Sequence, residues 1–299
     1  MMNNVIVTGA NGFIGSALIK KLIEKNIYVV AIDIAFDNTN FVDSSFVRKI
    51  KIGLDDIDKL RDAIPKGEYD AFYHFAWAGV NGLQKADPVV QLKNAEMTMV
   101  CVKVASLIGC KKFLCAGTIA ERAIESLPNL TNTSGGMMYG VAKHATHLML
   151  ETYSKNVGLD FVWMQFSNIY GPQNKTGNLV SYTVGELMKG NEAAFGPANQ
   201  PYDFIYVEDL IEAVYRLGTK KTRKNTYFIG SGKPRMLKEY LIEIGECLDK
   251  RHLVKIGMRA DDGIVYTMDM FDTKELVDDI GEYISLSFED GIKYTIENY

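Results

Sequence analysis

The chain of 299 residues offers no membrane span, no cysteine framework and no basic field. No uninterrupted apolar run approaches the ~20 residues that cross a bilayer. Cysteine is scarce: Cys101, Cys110, Cys115 and Cys247 lie in apolar or helical contexts without a CxxC pair. Reduced core thiols are therefore expected, not disulfides or a zinc cluster. The histidines are His74, His144, His147 and His252. His144 and His147 stand three apart on a helical stretch, but no acid or cysteine follows at useful spacing, so no metal is expected. Lysine and arginine total 33 against 37 acids, a net charge of −4, which gives nucleic acid or an acidic membrane no field to meet. There is no internal repeat or low-complexity stretch. Met1-Met2-Asn3-Asn4 runs into a strand pattern with no charged n-region or cleavage site, so the expected compartment is the cytoplasm.

What is present is an ordinary globular composition, 47% hydrophobic and 23% charged, at a length that suits one large domain or two moderate ones. Strand and helix patterns alternate. Val5–Thr8, Tyr28–Asp33, Phe46–Ile52, Tyr69–Ala76, Lys112–Ala116 and Asp160–Phe166 read as strands. Phe13–Glu24, Asp56–Ala63, Val89–Ile108 and Tyr139–Tyr153 read as helices. Such alternation predicts a parallel sheet covered on both faces. Past residue 168 the rhythm loosens, with helices predicted near 178–189, 208–217 and 236–249 and loops at Gly171-Pro172 and Gly196-Pro197.

Thr8-Gly9-Ala10-Asn11-Gly12-Phe13-Ile14-Gly15 joins the first strand to the first helix. Gly9 permits the tight turn, Gly12 lets backbone approach a pyrophosphate, and Gly15 allows close helix–strand packing. The helix N-terminus supplies free N–H groups and a positive dipole end. Asp33 ends the second strand 18 residues after Gly15. A carboxylate there accepts from both adenine-ribose hydroxyls and repels a 2′-phosphate. No Arg or Lys follows until Arg48, so NAD is favoured over NADP. The TGxxGxxG spacing resembles the short-chain dehydrogenase/reductase superfamily.

Tyr139-Gly140-Val141-Ala142-Lys143 places Tyr and Lys four apart on one helix face. A phenol of pKa ~10 is a poor base at neutral pH, and a nearby ammonium favours its ionised form. Such a tyrosinate takes a proton from a hydroxyl while hydride leaves, and in reverse the phenol donates to a ketone. Thr118, beyond the end of the fifth strand, can hydrogen-bond the reacting oxygen. Ser106 and Thr131 compete for that role, but neither follows a buried strand.

With these residues the chain resembles an extended short-chain dehydrogenase of the NAD-dependent epimerase/dehydratase family. Tyr73-His74-Phe75-Ala76, Asn94, Asn168-Ile169-Tyr170-Gly171-Pro172, Asp203–Asp209 and the Arg259/Asp262 pair match family stretches along nearly the whole chain. The resemblance implies a Rossmann-type doubly wound parallel sheet, residues 1–168, with a smaller C-terminal α/β substrate-binding lobe, residues 169–299, partly interleaved. It implies an NAD site from Gly9, Asn11, Gly12, Phe13, Ile14, Gly15, Asp33, Ile34, Gly53, Leu54, Phe75, Ala76, Trp77, Asn94, Tyr139 and Lys143. It implies a nucleotide-sugar site from Gly79, Thr118, Asn168, Asn178, Leu179, Tyr202 and Arg259, with Arg259 on the substrate diphosphate. Tyr202 stands where the family commonly has a phosphate-contacting arginine. Trp77 either narrows the pocket or packs as core.

Dehydratases of the family carry Asp-Glu directly after the threonine; here Ile119-Ala120 follows, which disfavours elimination. Glu121 matches a glutamate in branches with a GSxxEYG-like turn, but Arg122 and Ala123 depart from it; a surface ion pair or solvent is expected for Glu121, and no role. A nucleotide-sugar 4-epimerase, working through a transient 4-keto sugar, is the expected activity. A 4-keto-sugar reductase is the alternative, and a non-catalytic NAD-sensing protein or scaffold comes third. Val100, Val104, Leu148 and Met149 make two helices apolar on more than one face; relatives pair these helices in a four-helix interface, so a homodimer is expected.

Overall fold

The computed structural model describes residues 2–38, 41–125, 135–174, 177–260 and 266–299. In chain order the first half runs β1 (Asn4–Thr8), α1 (Phe13–Glu24), β2 (Tyr28–Asp33), β3 (Val47–Lys51), α2 (Ile57–Ala63), β4 (Ala71–His74), α3 (Pro88–Leu107), β5 (Lys112–Thr118), α4 (Ala120–Glu125), α5 (Gly135–Val157) and β6 (Asp160–Phe166). Then follow β7 (Asn168–Tyr170), α6 (Leu179–Met188), β8 (Ala193–Ala194), β9 (Pro201–Tyr202), β10 (Phe204–Tyr206), α7 (Val207–Thr219) and β11 (Thr226–Ile229). The chain finishes with β12 (Arg235–Met236), α8 (Leu237–Cys247), β13 (Val254–Lys255), α9 (Lys274–Ile280) and α10 (Phe288–Glu297).

Alternate strand residues enter opposite cores, as the two-residue repeat of a strand requires. Val5, Val7, Val29, Ala31, Leu114 and Val162 face one apolar cluster, while Ile6, Val30, Ile32, Phe113 and Trp163 face the other. Helices cover both faces. On one side Leu18, Ile19 and Leu22 of α1 are fully buried, each burial worth roughly 1.5–3 kcal/mol. Beside α1 packs α7, whose Val207, Leu210, Ile211, Val214 and Leu217 recur at helical spacing and are buried.

The seven-stranded parallel sheet has the order β11-β6-β5-β4-β1-β2-β3. Chain direction across the sheet reverses between β1 and β4, and at such a switch point the strand ends leave a crevice for ligand. β11 comes from beyond residue 168 and pairs in register with β6, Thr226 against Trp163. The second half of the chain thus returns one strand to the sheet, and no single cut near residue 168 separates the sheet from the rest. The apolar run Tyr227–Ile229 is too short to declare its partner from sequence.

The second half is held by buried acids. Asp203 is fully buried, accepts the Ser231 N–H at 2.8 Å and also bonds the Ser231 hydroxyl. Asp209 accepts from the Ser285 N–H at 2.9 Å and the Ser285 hydroxyl at 2.6 Å. Burial raises the Asp203 carboxyl to about 6 against the partial relief of its Ser231 bonds. Because the folded state binds this proton more tightly than the unfolded chain, the stability it contributes is complete below about pH 4 and lost as pH rises through about 6. Asp203→Asn removes that titration. Its melting temperature relative to wild type is expected to climb steadily as pH is raised across that window; a difference independent of pH would contradict it.

Candidate active site

Backbone contact builds the first wall of the crevice. Gly9 takes a φ of +66°, and a Cβ there would lie 2.6 Å from the Ala76 nitrogen, so the turn and the loop after β4 meet main chain to main chain. A Cβ on Gly15 would stand 2.1 Å from the Gly9 oxygen. α1 starts at Phe13 and Ile14 with Gly12 as its cap, without a capping side chain and without an acid in its first turn. Its leading N–H groups and positive dipole end are thereby left for an anion. At the end of β2, Asp33 accepts the Asn11 N–H at 2.9 Å and the Ile34 N–H at 2.7 Å. Its remaining lone pairs can take two ribose hydroxyls. Ile34 beside it is 71% exposed, while Gly53 and Leu54 follow β3 with Leu54 buried. Lys51 stands in register with Asp33 on β3, a neighbour that sequence distance conceals. These features fit a dinucleotide.

The second wall carries the candidate reacting groups. Thr118 ends β5, and the Tyr139 phenol on α5 hydrogen-bonds its side chain. Lys143, one turn on, is 3% exposed; its ammonium donates to the Ala116 carbonyl at 2.7 Å and sits 3.6 Å from the centre of the Trp77 ring. Trp77 also meets Tyr139 edge to face, with ring centres 6.2 Å apart. Trp77 is half-buried: its indole donates to Gln91 Oε1 at 2.8 Å, and Gln91 in turn bonds the Gly79 and Gln84 carbonyls. Burial drives the Lys143 amine down to about 8, opposed by Cys115 and Glu121. Burial and then the Glu121 charge raise the Tyr139 phenol, while the Thr118 bond lowers it. Beneath, His74 bridges Thr8 Oγ1 at 2.7 Å and Thr98 Oγ1 at 3.0 Å, and burial holds it down to about 3.

Asn94 lies behind this wall. Both ends of its amide bond the Ala78 backbone at 2.8 Å, so it shapes the loop that also holds Phe75, Ala76 and Gly79. On the facing lobe, the Tyr202 hydroxyl donates to Asn168 Oδ1 at 2.9 Å, joining two of the expected substrate residues. Asn178 caps α6 ahead of Leu179 by accepting the Ser181 N–H at 2.9 Å and donating to the Ile169 carbonyl. Arg259 is exposed and donates to the Tyr182 hydroxyl at 2.9 Å. Asp262 and Thr131 lie outside the described residues.

Glu121 is the residue that sequence reasoning misplaced. Expected at the surface, it is fully buried, with Oε1 accepting the Thr118 N–H at 2.7 Å and Oε2 the Trp163 indole N–H at 2.8 Å. Its position one helical turn after Thr118 was the available signal. Glu121, His144 and His147 also bring one ligand-type atom each within 4.8 Å of one another, the only such group among the described residues. The acid precedes the histidines in sequence, so no acid downstream of them marks the group. Both Glu121 oxygens are already engaged by N–H donors, whereas His144 Nδ1 and His147 Nδ1 are buried without a hydrogen-bond partner among the described residues.

Residues 5–230 match the NAD dependent epimerase/dehydratase family. A UDP-glucose 4-epimerase structure from Thermotoga maritima, with UDP-glucose, superposes with a TM-score of 0.84 at 22% identity, covering 99% of this chain and 98% of that one. The dTDP-glucose 4,6-dehydratase DesIV from Streptomyces venezuelae, with NAD bound, gives 0.85 at 20% identity, covering 99% and 96%. A putative UDP-glucose 4-epimerase of Methanocaldococcus jannaschii is 24% identical over 262 residues, 79% of each chain. The fold thus aligns equally with enzymes of different chemistry. Asp33→Asn is expected to weaken NAD binding and reduce the preference for NAD over NADP, read by calorimetric titration with both. An unchanged preference would remove Asp33 from the ribose role.

Proposed function

The chain belongs to the NAD-dependent epimerase/dehydratase family, and on that premise we propose that it is a nucleotide-sugar epimerase acting at C4. One observation carries the choice within the family: the two residues directly after Thr118 cannot catalyse elimination. Ile119 is buried among Phe228 and Phe271, Ala120 has no proton to transfer, and Glu121, which follows them, is buried under the turn. Inversion of a carbinol centre needs no such pair. Bound NAD supplies a reversible hydride acceptor, held by the glycine turn, Asp33 and Lys143.

Tyr139 Oη takes the proton of the 4-hydroxyl and returns it after the ketone has presented its other face. Thr118 holds the reacting oxygen, and Lys143 supplies the positive charge that makes phenol ionisation accessible. Asn168, Tyr202 and Arg259 receive the nucleotide diphosphate on the opposite lobe. A 4-keto-sugar reductase is the second reading, favoured by the buried Glu121 charge that keeps Tyr139 in its proton-donating form. Burial of the unpaired Cys101, Cys110 and Cys115 suits a reducing cytoplasm, and no described helix is long and apolar enough to cross a membrane.

Incubation with UDP-, dTDP-, CDP- and GDP-sugars is expected to yield 4-epimers without net consumption of cofactor. Stoichiometric oxidation of NADH or NADPH with 4-keto sugars would replace this reading by the reductase. Tyr139→Phe is expected to lower turnover by about 10²–10⁴-fold while NAD stays bound.

A homodimer belongs to the same proposal. Val104 is buried within the subunit, but Val89 and Leu92 on α3 are 73% and 69% exposed, and Leu148 and Met149 on α5 are 51% and 44% exposed. α3 and α5 pack side by side, so their outer faces offer one apolar surface for a second copy. Sedimentation should find a dimer that the double variant Leu148→Glu, Met149→Glu converts to monomer. A monomeric wild type at micromolar concentration would refute it.

A further inference from the structure

Glu121 is the buried ionisable group that the mechanism leaves unused. Its two oxygens hold the Thr118 amide, three residues before it, and the Trp163 indole, 42 residues after it. Gly117 leaves the space for this meeting: a Cβ there would lie 2.3 Å from Trp163 Nε1 and 2.7 Å from Glu121 Oε1. Trp163 is itself clamped, stacking on His147 with ring centres 4.8 Å apart and planes 2° from parallel. His147 Nε2 reaches Thr226 Oγ1 at 2.9 Å, and its Nδ1 lies 3.5 Å from Glu121 Oε2. Arg122 turns away, to Gln165 and the Met270 carbonyl.

An ionised carboxylate taken from water costs several kcal/mol before compensation, and apolar replacements of such groups are often neutral or stabilising. Stability alone is therefore a weak reason for this arrangement. Charge-assisted bonds of 2.7 and 2.8 Å orient the group narrowly, and one of them ends on the backbone of Thr118. We propose that Glu121 is a positioning residue for the Thr118–Tyr139–Lys143 group: its carboxylate fixes the turn that presents Thr118 and lies beneath the reacting groups. This rests on the reading of that group as the redox site. The charged and titratable groups around Tyr139 are Glu121 from α4, Cys115 from β5, Lys143 from its own helix and Lys85, whose ammonium lies 5.4 Å from the ring centre. Among them Glu121 opposes the tyrosinate and supports the Lys143 ammonium.

The test uses the full chain with NAD bound. Glu121→Gln removes the charge but sets its amide N–H against one of the two donors; adding Trp163→Phe removes that clash and gives a second variant should the first fail to fold. The chain has two tryptophans, so Trp163 is identified in an amide-correlation spectrum as the indole signal lost in Trp163→Phe. Expected in Glu121→Gln are an upfield shift of that signal and a kcat lower by about 10- to 100-fold, from a displaced Thr118. KM and NAD affinity are expected to hold within about twofold, because ground-state binding is untouched. With the opposing charge gone, both limbs of the kcat–pH profile are expected to move to lower pH by about one unit.

Turnover is measured with the nucleotide sugars and with NADH reduction of a small ketone, which uses the same proton relay without a nucleotide. Wild-type protein active only on the ketone refutes the epimerase reading and leaves the Glu121 comparison intact. Unchanged kcat and pH limbs in a folded variant overturn the positioning role, as does parallel decay of kcat, KM and NAD affinity. Loss of wild-type activity in a chelator, restored by zinc, would overturn it by making Glu121, His144 and His147 metal ligands.

Discussion

Gly15 passes so close to Gly9 that a Cβ would stand 2.1 Å from the Gly9 oxygen, and this contact sets where α1 begins. The same Gly9 touches the Ala76 backbone, which places the loop after β4. That loop carries Trp77, whose ring is the platform for the Lys143 ammonium and the edge against Tyr139. A crossing without side chains at the first βα turn thereby governs the spacing between the start of α1 and the Tyr139/Lys143 pair proposed to transfer the proton. Close main-chain approach transmits position well because it has no rotamers to absorb an error.

Below the crevice lies an unusual amount of polar material for a sheet with two apolar faces. His74 is neutralised by burial between two threonine hydroxyls, and Lys143 is pulled toward neutrality by the same cause. Glu121 holds the complementary charge. Each group has geometric partners that a low-dielectric site demands. The arrangement concentrates electrostatic leverage on Tyr139, the one group that exchanges a proton with substrate in the proposed cycle.

The lobe facing the sheet is anchored differently. Asp203 and Asp209, which open and close the family-like stretch, bond Ser231 and Ser285 and do not face the crevice. What they hold steady is β10 and the strand beside it, where Asn168 meets Tyr202. In the proposed site the Tyr202 hydroxyl brings no charge, which leaves the exposed Arg259 as the cation for the substrate diphosphate.

Much of the fold was legible because its causes are local. Phe13–Glu24 and Asp160–Phe166 have in the structure the bounds their periodicity predicts, since helix and strand repeats are written over a few residues. The glycine turn, Asp33 and the Tyr139/Lys143 spacing, which point to the NAD cofactor and to the proposed proton transfer, are local patterns of the same kind. Tertiary structure alone decided the return of β11 to the sheet, the contacts of Trp77 with Gln91 and Lys143, and the burial of Glu121. Each depends on a partner far along the chain: β6 for β11, Gln91 and Lys143 for Trp77, Trp163 for Glu121. A lone glutamate in a sequence is solvated by default; only a folded neighbour offering an N–H inside the core makes burial affordable, and no local pattern announces that neighbour.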